Sequence, residues 1–237
     1  MMARPGRLAW LVLPLLCLAS ASRAGDVRDL LGAVAFQAQA PRPLRAELRI
    51  ERDGAAPLDA VLLDDGQRRY LETKSGTRAL LSPGKVLVAR DGKVVRAEPG
   101  ATLDGSPLLL EDLAPFGSRA IDVPQVSDDG PMGTVVTVAP RPPTAYVLLV
   151  HTVEPERPVI VRTKYYRDTI NNLVKLARFE DFVSAGGRWR PGAITVETFR
   201  PAPSTTRITL RWREAPDTPP AVFTLAGLRG PSPIRWP

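Results

Sequence analysis

Apolar and charged residues alternate without a fault from Leu44 to Arg52. That period of two predicts a strand with one face buried and the other in water, as in an antiparallel sheet packed on one side. Asp53-Gly54 turns the chain, the alternation returns more weakly from Leu58 to Leu63, and Asp64-Asp65-Gly66 turns it again. Further strands are predicted around Arg69 to Thr73, Arg78 to Leu81, Lys85 to Ala89 and Lys93 to Ala97, separated by Ser75-Gly76, Pro83-Gly84 and Asp91-Gly92. An aspartate-glycine pair between two apolar runs is a strong hairpin signal, so this half reads as a meander.

Between Leu103 and Phe116 the period breaks, and Ser106 to Leu113 predicts a short helix with Pro107 at its first position. Strands return from about Ile121, most clearly at Thr134 to Val138, Ala145 to Val153 and Val159 to Tyr166. The meander continues through Leu173 to Phe182, a Gly186-Gly187 turn, Ile194 to Phe199 and Arg207 to Arg213. In the last of these Ile208, Leu210 and Trp212 share one face and Arg207, Thr209, Arg211 and Arg213 the other. Phe223 to Leu228 closes the pattern as a short helix or strand, and the proline-rich residues 231–237 predict a loose tail.

The chain opens differently. Arg4 and Arg7 precede an apolar run from Leu8 to Leu18, and small residues follow up to Ala24. Residues 1–24 therefore read as a cleavable secretory signal peptide, its apolar run too short for the roughly 20 residues of a spanning helix. Cleavage fits after Ala21 or Ala24, and Ala24 is preferred. Cys17 is the only cysteine, and Leu16 stands before it where a lipoprotein cleavage site wants a small residue, so lipid anchoring there is disfavoured. Beyond the leader, Asp26 caps a predicted helix whose stripe is Val27, Leu30, Leu31, Val34 and Ala35, ending before Pro41. Residues 25–230 then form a single domain, mainly β with α+β character.

Composition narrows the chemistry. The formal charge of +7 falls to +4 when the three arginines Arg4, Arg7 and Arg23 leave with the leader. Basic residues are interleaved with acids, and no zinc-finger spacing or basic block points to nucleic acid. His151 is the only histidine, so neither a shared metal nor a serine triad has its parts, and its expected role is a sheet-face side chain making one hydrogen bond. The acidic pairs Asp64-Asp65, Asp128-Asp129 and Glu180-Asp181 adjoin turns or lie on strands, where neighbours face opposite ways. No glycine-rich phosphate cradle offers a cofactor seat. Catalytic residues, metal and cofactor are thus all expected to be lacking, and the chain reads as a non-enzyme.

A sheet this wide must bury its apolar face, and two helices cover only part of it. Curved sheets too wide to fill with their own side chains commonly hold an apolar ligand.

Several segments also resemble a known family. They are Lys164-Tyr165-Tyr166-Arg167-Asp168, Leu173-Val174-Lys175, a glycine turn before Arg190-Pro191, Ile194-Thr195-Val196, Thr205-Thr206 and Phe223-Thr224-Leu225 with Leu228. Leu110-Glu111-Asp112-Leu113 adds the helix before the second half. Together they resemble the outer-membrane lipoprotein-sorting proteins, relatives of the periplasmic carrier LolA and the receptor LolB. The resemblance implies a curved antiparallel sheet forming an incomplete barrel, covered by an N-terminal helix and one or two short helices. It further implies a periplasmic location and a concave face that shelters lipid or lipoprotein acyl chains, loaded or unloaded by an inner-membrane export complex or an outer-membrane acceptor.

An exposed acyl chain costs about 0.8 kcal/mol per methylene, so a carrier must supply a dry wall. The inward-facing candidates are Leu48, Ile50, Val161, Tyr165, Ile194, Val196, Leu210 and Trp212. Release needs two states of different affinity, and the expected lid is Leu30, Leu31 and Val34 with Leu109 and Leu113. The alternative reading is a periplasmic protein-binding or sensor module that uses the same fold without lipid.

Overall fold

The computed structural model describes residues 27–90, 92–117, 121–128 and 133–236. The leader, its cleavage points and Asp26 lie outside these residues.

Thirteen strands form one antiparallel sheet. In chain order they are β1 (Leu44–Arg52), β2 (Ala55–Asp64), β3 (Arg69–Thr73), β4 (Arg78–Ser82), β5 (Lys85–Arg90), β6 (Lys93–Arg96), β7 (Ile121–Asp128), β8 (Thr134–Pro140), β9 (Leu148–Glu154), β10 (Val159–Tyr166) and β11 (Leu173–Glu180), with β14 (Ala193–Thr198) and β15 (Ser204–Glu214). A separate hairpin, β12 (Val183–Ala185) and β13 (Arg188–Arg190), turns on Gly186-Gly187. The sheet order is β6-β5-β4-β3-β2-β1-β15-β14-β11-β10-β9-β8-β7. The chain therefore starts at the centre, meanders to one edge, crosses to the other edge, and meanders back until β15 pairs with β1.

The central pairing fixes the faces. Ala46, Leu48 and Ile50 stand opposite Trp212, Leu210 and Ile208, while Glu47 faces Arg211 and Glu51 faces Arg207 on the wet side. A one-residue slip would bring every charge inward, so the register is strongly specified. Edge strands β6 and β7 are not paired to each other, and the barrel stays incomplete. The sheet is nonetheless curled: Val86 of β5 and Leu149 of β9, near its opposite ends, pack against one apolar core and line one cavity.

Residues 97–117 make the crossing, and Leu103, Leu108, Leu109, Leu110 and Leu113 bury themselves in the concave core. The helix expected from Ser106 to Leu113 is shorter, a single 3-10 turn over Leu110–Leu113. Leu103 N donates to Leu108 O and Leu110 N to Ala101 O, both at 2.9 Å, so a miniature hairpin takes the backbone groups a longer helix would need. Leu109 is extended, and its N–H donates to the Asp112 carboxylate at 2.9 Å.

Helix α1 (27–38) lays Val27, Leu31 and Val34 on Val136 and Val138 of β8 and Val153 of β9, covering the other half of the concave side. On the convex face, a 3-10 turn (Pro220–Phe223) and α2 (Leu225–Arg229) pack Val222, Phe223 and Leu228 on Val61, Leu63, Tyr70 and Leu80. Residues 231–236, expected from their prolines to be loose, are docked there. Ile234 is 7% exposed, Ser232 Oγ donates to Glu72 at 2.6 Å, and Trp236 packs on the same cluster. A buried carboxylate that accepts Tyr70, Ser232 and Trp236 holds a tail whose backbone has few partners of its own.

The β2–β3 turn meets the linker after α1. Gly66 has φ +86, and a Cβ there would lie 2.3 Å from Ala40 N. Gly66→Ala is expected to lower stability by about 2 to 4 kcal/mol, from left-handed strain plus overpacking. Urea unfolding checks this, and an unchanged midpoint would contradict the close approach.

Candidate functional site

A cavity of ≈ 310 Å³ lies between the concave sheet, α1 and the crossing segment. Its size falls at the lower end of the roughly 300–1,000 Å³ of small-molecule sites. Leu48 and Leu210, directly opposite each other on β1 and β15, form its floor, and Leu62, Val86 and Leu149 extend the apolar wall.

The expected wall residues divide. Leu48, Tyr165, Ile194, Leu210 and Trp212 line the cavity. Ile50 is fully buried in the concave core away from it, and Val196 lines only a hollow of ≈ 10 Å³, about one water in size. Val161 stands apart because the β9–β10 register shifts between Ile160 and Arg162, so that Ile160, opposite Val153, takes the wall with Val159, Thr163 and Tyr165. Among the expected lid residues, Val34 and Leu113 reach the cavity. Leu30 and Leu31 pack behind it in the cluster joining α1 to β8 and β9, and Leu109 sits in the core under the crossing segment.

Three polar features of the wall escaped the alternation. The first is a buried ion pair. Lys175 Nζ lies 2.5 Å from Asp112 Oδ2 with both side chains almost wholly covered, and it reaches Tyr146 Oη at 3.0 Å. Tyr146 Oη in turn donates to Asp112 Oδ1 at 2.6 Å. Burial, then the Asp112 charge, pushes the Tyr146 phenol well above its ordinary range, and burial does the same to Tyr165, so both remain neutral. Glu111 accepts from Gly100 N at 3.1 Å and Thr144 Oγ1 at 2.7 Å. The two acids thus staple the crossing segment over the cavity.

The second is Arg190 on β13. It is 3% exposed, and its guanidinium donates to the carbonyls of Gln37, Ala38 and Gln39 where α1 ends. A cation on those unsatisfied carbonyls favours the helix end through hydrogen bonds and the macrodipole together. Burial lowers the Arg190 pKa to about 10, so it stays charged at neutral pH. Arg188 stacks on Phe36 at 3.9 Å from the ring centre, and Trp189 N donates to Gln37 Oε1, so the β12–β13 hairpin clamps one end of the helix.

The third is His151, 5% exposed in the cavity wall, with Nδ1 2.9 Å from Thr163 Oγ1. The single hydrogen bond expected of it is present. Burial alone holds its pKa at about 4 against an ordinary 6.5. The unfolded chain therefore takes up a proton between pH 6.5 and 4 that the folded chain does not. Stability is flat above that window and declines as pH falls through it, by roughly 3 kcal/mol at the lower end. With one histidine in the chain, His151→Phe should remove the part of this slope above about pH 5, where few carboxylates titrate. Urea midpoints from pH 7.5 down to pH 5 measure it.

Among the described residues no helix is long and apolar enough to cross a membrane.

No protein-family model matches the chain, and no curated protein matches it in sequence. Solved structures share its fold. A DUF1329 family protein from Desulfovibrio piger superposes with a TM-score of 0.70 at 20% identity, over 86% of this chain and 98% of that one. A putative outer membrane lipoprotein-sorting protein domain from Vibrio parahaemolyticus gives 0.69 at 13% identity, over 84% and 98%. A LolA superfamily protein from Nitrosomonas europaea gives 0.64 at 16% identity, over 83% and 96%. The resemblance carried by the short motifs of the second half is therefore a likeness of fold that spans most of the chain.

Proposed function

We propose that this chain is a periplasmic carrier or binder of lipid or lipoprotein acyl chains, holding them in the concave cavity for transfer towards the outer membrane. The observation that carries the reading is the cavity of ≈ 310 Å³ with leucines and valines from both halves of the sheet on its wall. A packed interior has few voids larger than a water, so a hollow of this size in so apolar a place calls for an occupant. The shared fold with a lipoprotein-sorting domain and a LolA superfamily protein supports the same cargo class. Nothing in the reading needs catalysis.

Loading and release need a closed and an open state that differ in affinity. The crossing segment and α1 roof the cavity. Arg190 holds one of them by backbone carbonyls, and Asp112 with Lys175 holds the other by a buried pair. An export complex or an acceptor that competes for either attachment would shift the balance towards the open state.

Denaturing mass spectrometry of an organic extract from the purified mature protein tests the reading. Acyl lipid in about one equivalent is expected, along with displacement of a fluorescent fatty-acyl probe by hexadecanoate. An empty protein that binds no probe, and instead retains another envelope protein, would replace the carrier with a protein-binding module.

A further inference from the structure

His151 carries more information than its one hydrogen bond. Its Nε2 is buried and has no hydrogen-bond partner among the described residues. Unpaired buried nitrogens are rare and destabilising, and each calls for a reason. The described surroundings give no internal one. Val136 is its register partner on β8, Thr163 is its partner on β10, and Leu149 and Val153 are its neighbours on the same face of β9. Phe116 of the crossing segment meets the imidazole edge to face, with ring centres 5.8 Å apart. His151, Phe116, Leu149 and Thr163 all line the cavity.

We propose that the cavity recognises a hydroxyl group carried along an apolar acyl chain, and that His151 Nε2 is the atom that meets it when the Phe116 ring turns aside. This rests on the acyl-binding reading above and adds the chemical class of the chain. The ring is neutral at physiological pH, because burial depresses its basicity and no charged group opposes the effect. A neutral imidazole offers a carboxylate no charge, and the acid end of a lipid is better served by Arg69, Lys85, Arg96 or Arg141 elsewhere on the same wall. A hydroxyl both donates and accepts, so it satisfies Nε2 whichever nitrogen bears the proton. The Thr163 hydroxyl engages the ring at Nδ1 and leaves Nε2 as the nitrogen without a partner among the described residues.

Displacement of a dansyl-labelled fatty acid from the mature protein tests this, with hexadecanoate and a set of hydroxyhexadecanoates differing in the carbon that carries the hydroxyl. At least one isomer is expected to compete about five- to tenfold better than hexadecanoate, the worth of one net hydrogen bond. In His151→Phe, with both ligands measured on the same variant, the order should reverse, because a hydroxyl without a partner is harder to desolvate than a methylene. Should that variant not fold, nitrogen NMR of histidine-labelled wild type serves instead: the Nε2 resonance moves with the preferred isomer and not with hexadecanoate. Equal competition by every isomer, a preference that survives in folded His151→Phe, or an Nε2 resonance that hexadecanoate moves equally would overturn the proposal while leaving the carrier standing. Hexadecanoate and all isomers failing to displace the probe would end both.

Discussion

Replacing Lys175 with methionine while Asp112 stays in place should lower the unfolding free energy by about 3 to 5 kcal/mol, the usual consequence of stripping a buried charge of its partner. The pair is closed on every side. Lys175 is 4% exposed, and its ammonium also lies 5.7 Å from the ring centres of both Tyr146 and Tyr165. Methionine fills most of the lysine stem, so the loss comes from the stranded carboxylate and not from a hole. Among the described residues Asp112 would keep only the Tyr146 hydroxyl and the Leu109 N–H. Changing both partners, Lys175→Met with Asp112→Leu, should recover a large part of the loss, because no unpaired charge then remains. A double-mutant cycle in urea isolates the coupling. The same cycle reads out function, because Asp112 belongs to the segment that roofs the cavity. The single variant should bind acyl probe less tightly even at temperatures where it is folded. A lysine variant as stable as wild type would show that water reaches the pair and that the roof is not pinned there.

Much of this architecture is legible in the sequence, because the period of two in Leu44–Arg52 states both the strand and its buried face, and Ile208, Leu210 and Trp212 state the matching face of β15. The front helix is legible for the same reason at another period, with Val27, Leu31 and Val34 all buried. What could not be read is long-range. No local pattern says that the first and last strands are neighbours, or that residues 97–117 cross from edge to edge. The helix expected at Ser106 was shortened by hydrogen bonds between Ala101, Leu103, Leu108 and Leu110, a tertiary outcome that overrides capping preference. Val161 left the wall because one bulge shifts the register, and alternation counted along a strand cannot see a bulge. Lys175 and Arg190 enter the sequence reading only within family-like segments, with no place in the wall. Their one legible sign is parity: Lys175, Ala177 and Phe179 share a face of β11, which puts a lysine among apolar neighbours. The tail is docked although rich in proline, because prolines report a lack of regular structure, which is different from a lack of contacts.

Leu210→Trp should weaken acyl binding about a hundredfold and leave the fold nearly untouched. Leu210 is 7% exposed, faces Leu48 across the central strand pair, and lines the cavity. An indole grown from this position has the cavity to occupy, so stability should change by no more than about 1 to 1.5 kcal/mol, in contrast to overpacking a filled core. The ring takes the space of about four methylenes of cargo. At about 0.8 kcal/mol each their exclusion removes roughly 3 kcal/mol of binding, a fall of about a hundredfold in probe affinity. Thr209→Trp is the matched control: it adds the same side chain one residue away on the exposed face of β15, and it should bind probe as wild type does. The pair of variants separates the two uses of this fold. A carrier loses its cargo only when the concave side is filled, whereas a module that recognises proteins on the convex face of the central strands would respond to Thr209→Trp and be indifferent to Leu210→Trp. Equal binding by both variants would mean that hydrocarbon does not lodge over the β1–β15 pair, and the carrier assignment would fall with it.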